Sequence, residues 1–374
     1  MNRIFSLTIT IILAISIIGC SNTPLEGKSA TLNKEGLIDK DSSYIKLVHY
    51  GTSRTDNCKN TSCNDDPSRL NSGNSNSESH ITYGIVKVRI PYSKKIGGTS
   101  GMSPLSIQHN IPWNDFISKL TNDDLLIFIH GFNTSFTNGA KRSAQLAHDT
   151  NFKGKVVFYS WPSSENPVSY STDKKRAQEN FGMLADFLQN ISEKTNKNIH
   201  IIAHSMGTYL LMNSLSIIKN RINQNDILLS KRRKENNGKI FSQIILAAPD
   251  INKDDYYKNF FAHEISNIAD KFTLYSHKND NVLKASRIVN YFVEGSNQTR
   301  LGDSSANFFV IEGMDTVDTR EEIPHQFFGH SFYANYRALI SDIYLLLNYG
   351  TAPDNRMLQK VTDNSGKSLW FIRD

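Results

Sequence analysis

Apolar residues recur along this chain in two rhythms, and their alternation predicts a layered architecture. Short strand-like segments rich in apolar residues fall at residues 45–49, 81–90, 125–129, 156–160, 199–203, 244–248, 272–276 and 307–311, and at 125–129 the run is continuous, the mark of a strand buried on both faces. From the third run onward, stretches with apolar residues at helical spacing separate the strands, among them 177–191 and 206–218, as parallel crossovers require. The first two runs have no helix between them and predict an antiparallel pair at one edge. A last helical stretch, 332–347, carries aromatic and aliphatic residues at helical spacing, which reads as core packing. The expected fold class is therefore α/β, with a mostly parallel central sheet of about eight strands and helices on both faces. Beyond it, 357–362 and 369–372 flank Asp363-Asn364-Ser365-Gly366 and predict a small hairpin.

The fifth run ends in Ala203-His204-Ser205-Met206-Gly207 and passes at once into a helical pattern. A strand that turns into a helix on a serine between small residues is a nucleophile elbow of the α/β-hydrolase type. The turn lifts the hydroxyl of Ser205 clear of the sheet, and the first amides of the helix, Met206 foremost, face a developing oxyanion. Ala203 occupies the place of the first glycine in G-x-S-x-G and adds a methyl group to a crowded turn. The third run closes on His130-Gly131-Phe132-Asn133. Such a loop after a central strand lends a backbone N–H, here that of Phe132, to pair with Met206 as an oxyanion hole. The competing reading is an ordinary strand-end turn in which Gly131 supplies a positive φ.

A serine nucleophile needs a base, and hydrolases of this fold run in the order serine, acid, histidine. Asp280, in the loop after the 272–276 run, is the candidate acid; Asp250, at the end of the 244–248 strand, competes for the role. His330, in Phe328-Gly329-His330-Ser331, is the candidate base, with His325 in the same loop as its rival. In this scheme His330 takes the Ser205 proton and returns it to the leaving group, while Asp280 fixes the imidazole tautomer. The chemistry is acyl transfer through a covalent intermediate.

These segments, with Ser160-Trp161-Pro162-Ser163 and Leu246-Ala247-Ala248-Pro249-Asp250, resemble a bacterial α/β-hydrolase family of unknown function, similar to serine esterases and lipases. The resemblance runs from about Tyr44 to Tyr349, with Tyr83-Gly84 and Ile90-Pro91 matching its early strand. In that family alanine commonly replaces the first elbow glycine. Position by position, the resemblance implies Ser205, Asp280 and His330 as the triad, and it supplies no substrate.

At the N-terminus, Arg3 precedes an apolar stretch, 4–19, too short to span a bilayer comfortably and ending in Gly19-Cys20. It resembles a lipoprotein signal in which residues 1–19 are removed and Cys20 receives the lipid, although Ile18 is larger than such signals prefer. The alternative is a plain secretory peptide cut nearby. Residues 20–43 then form a polar tether, 44–349 the hydrolase domain and 350–374 a tail. The expected location is the cell envelope, outside the cytoplasm, with the membrane as partner through Cys20. By resemblance to enterobacterial sorting, Ser21 rather than aspartate after the cysteine favours the outer membrane where the organism has one, and the cell surface otherwise. Of three cysteines, the remaining two, Cys58 and Cys63, are spaced for a disulfide; a half zinc site lacks further ligands nearby.

The formal charge of +6 is mild for 374 residues, and Lys231-Arg232-Arg233-Lys234 reads as solvated surface, so nucleic acid is not an expected partner. No metal is expected: His263-Glu264 begins a zinc-peptidase pattern, but Asn267 stands where its second histidine belongs. Gly97-Gly98-Thr99-Ser100-Gly101 lacks the lysine of a phosphate cradle, and no cofactor is implied. The function expected is a lipid-anchored serine hydrolase for a small carboxylic ester, with amides and thioesters open. A catalytically silent envelope scaffold is the alternative.

Overall fold

The structure, a computed structural model, describes residues 42–58, 63–71, 73–74, 80–166, 169–224, 238–257, 260, 264–277, 280, 283, 299–304, 310–319, 331–362 and 366–372. The segments expected as leader and tether (residues 1–41 of them), with Cys20, the 231–234 basic run, His263, His325 and His330, lie outside the described residues.

The described strands form one eleven-stranded sheet. In chain order they are β1 (Ser43–Thr52), β2 (Thr82–Pro91), β3 (Ser103–His109), β4 (Leu125–Ile129), β5 (Lys155–Ser160), β6 (Ile199–His204), β7 (Phe241–Ala247), β8 (Ala269–Ser276), β9 (Asp315–Asp318), β10 (Leu358–Thr362) and β11 (Ser368–Ile372). Their spatial order is β10-β11-β9-β8-β7-β6-β4-β5-β1-β2-β3. Pairing is parallel from β1 through β9 and on to β11; β1–β2, β2–β3 and β10–β11 are antiparallel.

Two strands differ from expectation. The segment expected as a strand at 307–311 lies partly outside the described residues, and 310–311 are not strand; the strand that follows β8 in the chain is β9, at Asp315–Asp318. Its sequence, Asp-Thr-Val-Asp, has one apolar side chain, so no pattern announces it. Pairing with β8 and a 2.7 Å bond from Ser276 Oγ to Asp318 hold it instead. β3 also has little pattern, because it is an edge strand with Ile107 buried and Leu105 49 % exposed. The expected tail hairpin forms, and β11 extends the sheet by pairing Trp370 with Val317.

The helices are α1 (Trp113–Ser118), α2 (Phe136–Asp149), α3 (Tyr170–Glu179), α4 (Phe181–Lys194), α5 (Met206–Asn223), α6 (Lys253–Tyr256), α7 (Phe332–Asn335) and α8 (Arg337–Tyr349). Along β4 the side chains alternate between two cores: Leu125, Ile127 and Ile129 face α4 and α5, while Leu126 and Phe128 face α2 and α8. Helices therefore cover both faces.

Two expected helices are interrupted, at Asn180 and at Tyr336. Asn180, between α3 and α4, accepts from the hydroxyls of Ser53 and Tyr159 and is fully buried. Tyr336, between α7 and α8, is extended, and the Ala334 carbonyl before it accepts from Gln145 and from the Gly98 amide.

From β4 the chain runs to β5 on one side and then returns to β6 on the other. The order thus reverses between β4 and β6, and the carboxyl ends of these two strands open the crevice where α/β sheets bind ligands. Cys58 and Cys63 form a disulfide, with Cα atoms 5.7 Å apart. Among the described residues no helix is long and apolar enough to cross a membrane.

Candidate active site

β6 ends at His204 and α5 begins at Met206, so Ser205 carries the whole turn. It adopts φ 53°, ψ −125°, a conformation that costs a non-glycine residue about 1–3 kcal/mol and persists only when its surroundings enforce it. Those surroundings are visible. The Ser205 amide donates to the Ala247 carbonyl of β7 (3.0 Å), and its carbonyl accepts from Thr208 Oγ1 (2.6 Å) and the Asp250 amide (3.4 Å). Met206 opens α5, and the first amides of a helix have no partner within it.

The loop after β4 lies directly on this turn. A Cβ built on Gly131 would stand 2.9 Å from Ser205 Cβ and 3.0 Å from the His204 carbonyl; one on Gly207 would stand 2.4 Å from the His130 carbonyl. Both glycines are therefore needed for close approach of backbone. Gly131 is not among the residues with positive φ, so it does not supply the left-handed turn; Asn133, at φ 55°, is the residue that turns left-handed. The adjoining Phe132 packs edge-on against Tyr170, 5.5 Å between ring centres.

His130 is structural in this arrangement. Its ring lies parallel to Trp161 at 5.1 Å, Trp161 Nε1 donates to its carbonyl (2.8 Å), and its Nδ1 is 2.8 Å from the Gly131 carbonyl. Burial, followed by the charge of Arg54, lowers its pKa to about 3, so the ring is neutral. Its Nε2 lies 3.1 Å from the Trp161 carbonyl, so the one ring proton serves either that carbonyl or the one of Gly131.

Ser205 is 2 % exposed, which makes it a sheltered group. Asp250 and Asp280 follow β7 and β8 at the same carboxyl edge of the sheet, and both are buried. Asp250 accepts from Tyr170 Oη (2.7 Å) and pairs with Arg300 Nε at 3.2 Å. Asp280 accepts from the Leu283 amide (3.0 Å). The chain on the C-terminal side of residue 330 is brought to the same place. Tyr333 packs against His204 with 4.8 Å between ring centres, and Phe332 against His277 at 5.2 Å.

A sequence-family model described as "Alpha/beta hydrolase of unknown function (DUF900)" matches residues 105–347, more than half of the chain. The chain belongs to this family. The matched region of this α/β-hydrolase begins within β3, so Tyr83-Gly84 and Ile90-Pro91 precede it. It is 24 % identical over 220 residues to "Uncharacterized protein alr1448" of Nostoc sp. (strain PCC 7120 / SAG 25.82 / UTEX 2576), a match covering 46 % of this chain and 56 % of that one. Among solved structures it is similar to an esterase of Pyrobaculum calidifontis, at 11 % identity and TM-score 0.32, over 72 % of this chain and 82 % of that one. It is similar also to a putative thioesterase from silicibacter sp. tm1040, at 14 % identity and TM-score 0.32, over 76 % and 86 % of the two chains.

Proposed function

We infer that this α/β-hydrolase is a serine hydrolase that cleaves a small carboxylic ester, with amides and thioesters left open, and that it acts from a lipid anchor at Cys20 in the cell envelope. Ser205 is the nucleophile, His330 the general base and Asp280 the acid that orients it. The observation that carries this reading is the convergence of three chain segments. Ser205 adjoins His204, which touches Tyr333, three residues beyond His330; Phe332 touches His277, three residues before Asp280. Three residues of chain span at most about 10 Å, a reach that supports a reading in which His330 and Asp280 are both brought toward the elbow.

In the reaction His330 takes the Ser205 proton as the hydroxyl oxygen attacks the substrate carbonyl carbon. The carbonyl oxygen becomes an oxyanion and is stabilised by the Phe132 and Met206 amides. Collapse expels the alcohol, protonated by His330, and leaves an acyl-serine. Water, activated by the same imidazole, then releases the acid and restores the hydroxyl. The sheltered position of Ser205 suits the developing charge, because hydrogen bonds in a water-poor site are worth more.

The near-complete burial of Ser205 also favours one rival, a silent envelope scaffold that retains the fold. A fluorophosphonate probe separates the two. The hydrolase reading expects covalent labelling that Ser205→Ala abolishes; folded protein without labelling, and without a phenotype in Ser205→Ala, supports the scaffold.

A further inference from the structure

The Ser160-Trp161-Pro162-Ser163 loop takes no part in the chemistry above, and neither does the deeply buried cation beside it. Arg54 follows β1, is 1 % exposed, and reaches across two neighbouring strand ends. Its Nε donates to Ser160 Oγ (2.8 Å), Nη1 to the Ser163 carbonyl (2.9 Å) and Nη2 to the Thr134 carbonyl (2.7 Å). Thr134 is gripped from its other side as well, since its amide donates to Ser163 Oγ (3.2 Å). Ser163 Oγ in turn donates to Asp173 (2.9 Å), a fully buried carboxylate. Burial lowers the Arg54 pKa to about 9, and Asp173 is the largest influence working the other way.

A buried charge of this kind costs stability, and apolar residues of similar volume often do better. What the guanidinium adds is geometry: a rigid planar fork that holds several acceptors at once. Its acceptors belong to the last residue of β5 and to the loops that begin at His130 and Trp161. Phe132 sits between two fixed points, the His130 carbonyl bonded to Trp161 Nε1 (2.8 Å) and Thr134, whose Oγ1 also donates to the Phe132 carbonyl (3.1 Å).

We propose that Arg54 is a positioning residue, which by clamping Thr134 and the 160–163 loop sets the Phe132 amide at the place where the oxyanion forms. This rests on the serine-hydrolase reading. Oxyanion donors work at about 2.7–3.1 Å, and a misplacement of about 1 Å costs on the order of 100-fold in rate. Lysine at position 54 carries the charge without the fork.

The test uses the full-length protein, as wild type, Arg54→Lys and Ser163→Ala, with Arg356→Met as a control. Arg356 is a fully buried cation paired with Asp342 (3.2 Å) on the far side of the sheet, so its loss lowers stability without touching the loop. The readout is the saturation of fluorophosphonate labelling, because phosphonylation builds charge on an oxygen in the same hole. Arg54→Lys and Ser163→Ala are expected to lower the maximal labelling rate about 10–100-fold, with the half-saturating probe concentration changed less than about twofold. Arg356→Met is expected to melt earlier and label at the wild-type rate. Folded Arg54→Lys or Ser163→Ala that labels like wild type overturns the proposal, as does a change confined to half-saturation. If Arg54→Lys fails to fold, Ser163→Ala decides. A wild-type protein that takes no label overturns the hydrolase reading instead, and this inference with it.

Discussion

Replacing Gly131 by alanine isolates the geometry of the oxyanion loop. The added Cβ would stand 2.9 Å from Ser205 Cβ and 3.0 Å from both His204 Nδ1 and the His204 carbonyl. Carbon atoms rest at about 3.5–4.0 Å, so the loop and the elbow must part by about 0.5–1 Å. The backbone of Gly131 is not left-handed, and alanine meets no dihedral penalty there. Overpacking costs about 1–3 kcal/mol, and the loss of freedom in the unfolded chain returns about 0.4–1 kcal/mol, which leaves a net destabilisation of about 0–2.5 kcal/mol. The effect on rate is larger. Moving the Phe132 amide by that distance is expected to lower kcat about 10–100-fold while KM changes little, because the contact is made in the transition state. Steady-state hydrolysis of p-nitrophenyl esters of graded chain length measures both constants, and a thermal melt reports stability. Gly182→Ala is the companion: a Cβ there meets nothing within 4 Å, and the residue lies in α4, so a small gain in Tm and unchanged kcat are expected. Folded Gly131→Ala with wild-type kcat would refute the assignment of this loop to the oxyanion hole.

Two further expectations concern stability. Burial is the largest influence lowering the pKa of His49, His109 and His200 to about 4 and of His130 to about 3, whereas in the unfolded chain they protonate near 6.5. Below that value the unfolded chain binds more protons, so stability falls as pH drops toward 4, by at most about 1.4 kcal/mol per group per pH unit. Tm is expected to fall by at least about 5 °C between pH 7 and pH 5, and a flat profile contradicts the neutral-histidine assignment. The Cys58–Cys63 bridge closes a short loop, and by chain entropy its removal in the double alanine variant costs about 2 kcal/mol. Labelling at Ser205 is expected to be unchanged in that variant; a lost label would tie the loop to the site.

The strands that build the site were legible because they are buried on both faces and therefore mostly apolar, without interruption in Leu125–Ile129 and broken only by His200 in the run Ile199–Ala203 that leads toward Ser205. The elbow was legible for a related reason: backbone packed against backbone admits only small residues, and Gly131 and Gly207 stand at those contacts. Pattern failed where position in the sheet, rather than side-chain hydrophobicity, decides structure. β9 is a strand because β8 offers it a parallel partner, and the 332–347 helix breaks at Tyr336 because α2 supplies donors to the Ala334 carbonyl. Arg54 was invisible, since one arginine after a strand has no signature and its partners, Thr134 and Ser163, are 80 and 109 residues away. Local sequence thus determined which segments are the buried central strands, where the turn on serine falls and which backbones must touch, because those depend on the nearest few side chains. The tertiary structure alone decided the strand order that reverses beside β4 and the bracing of the loop there, because both arise from contacts between residues far apart in the chain.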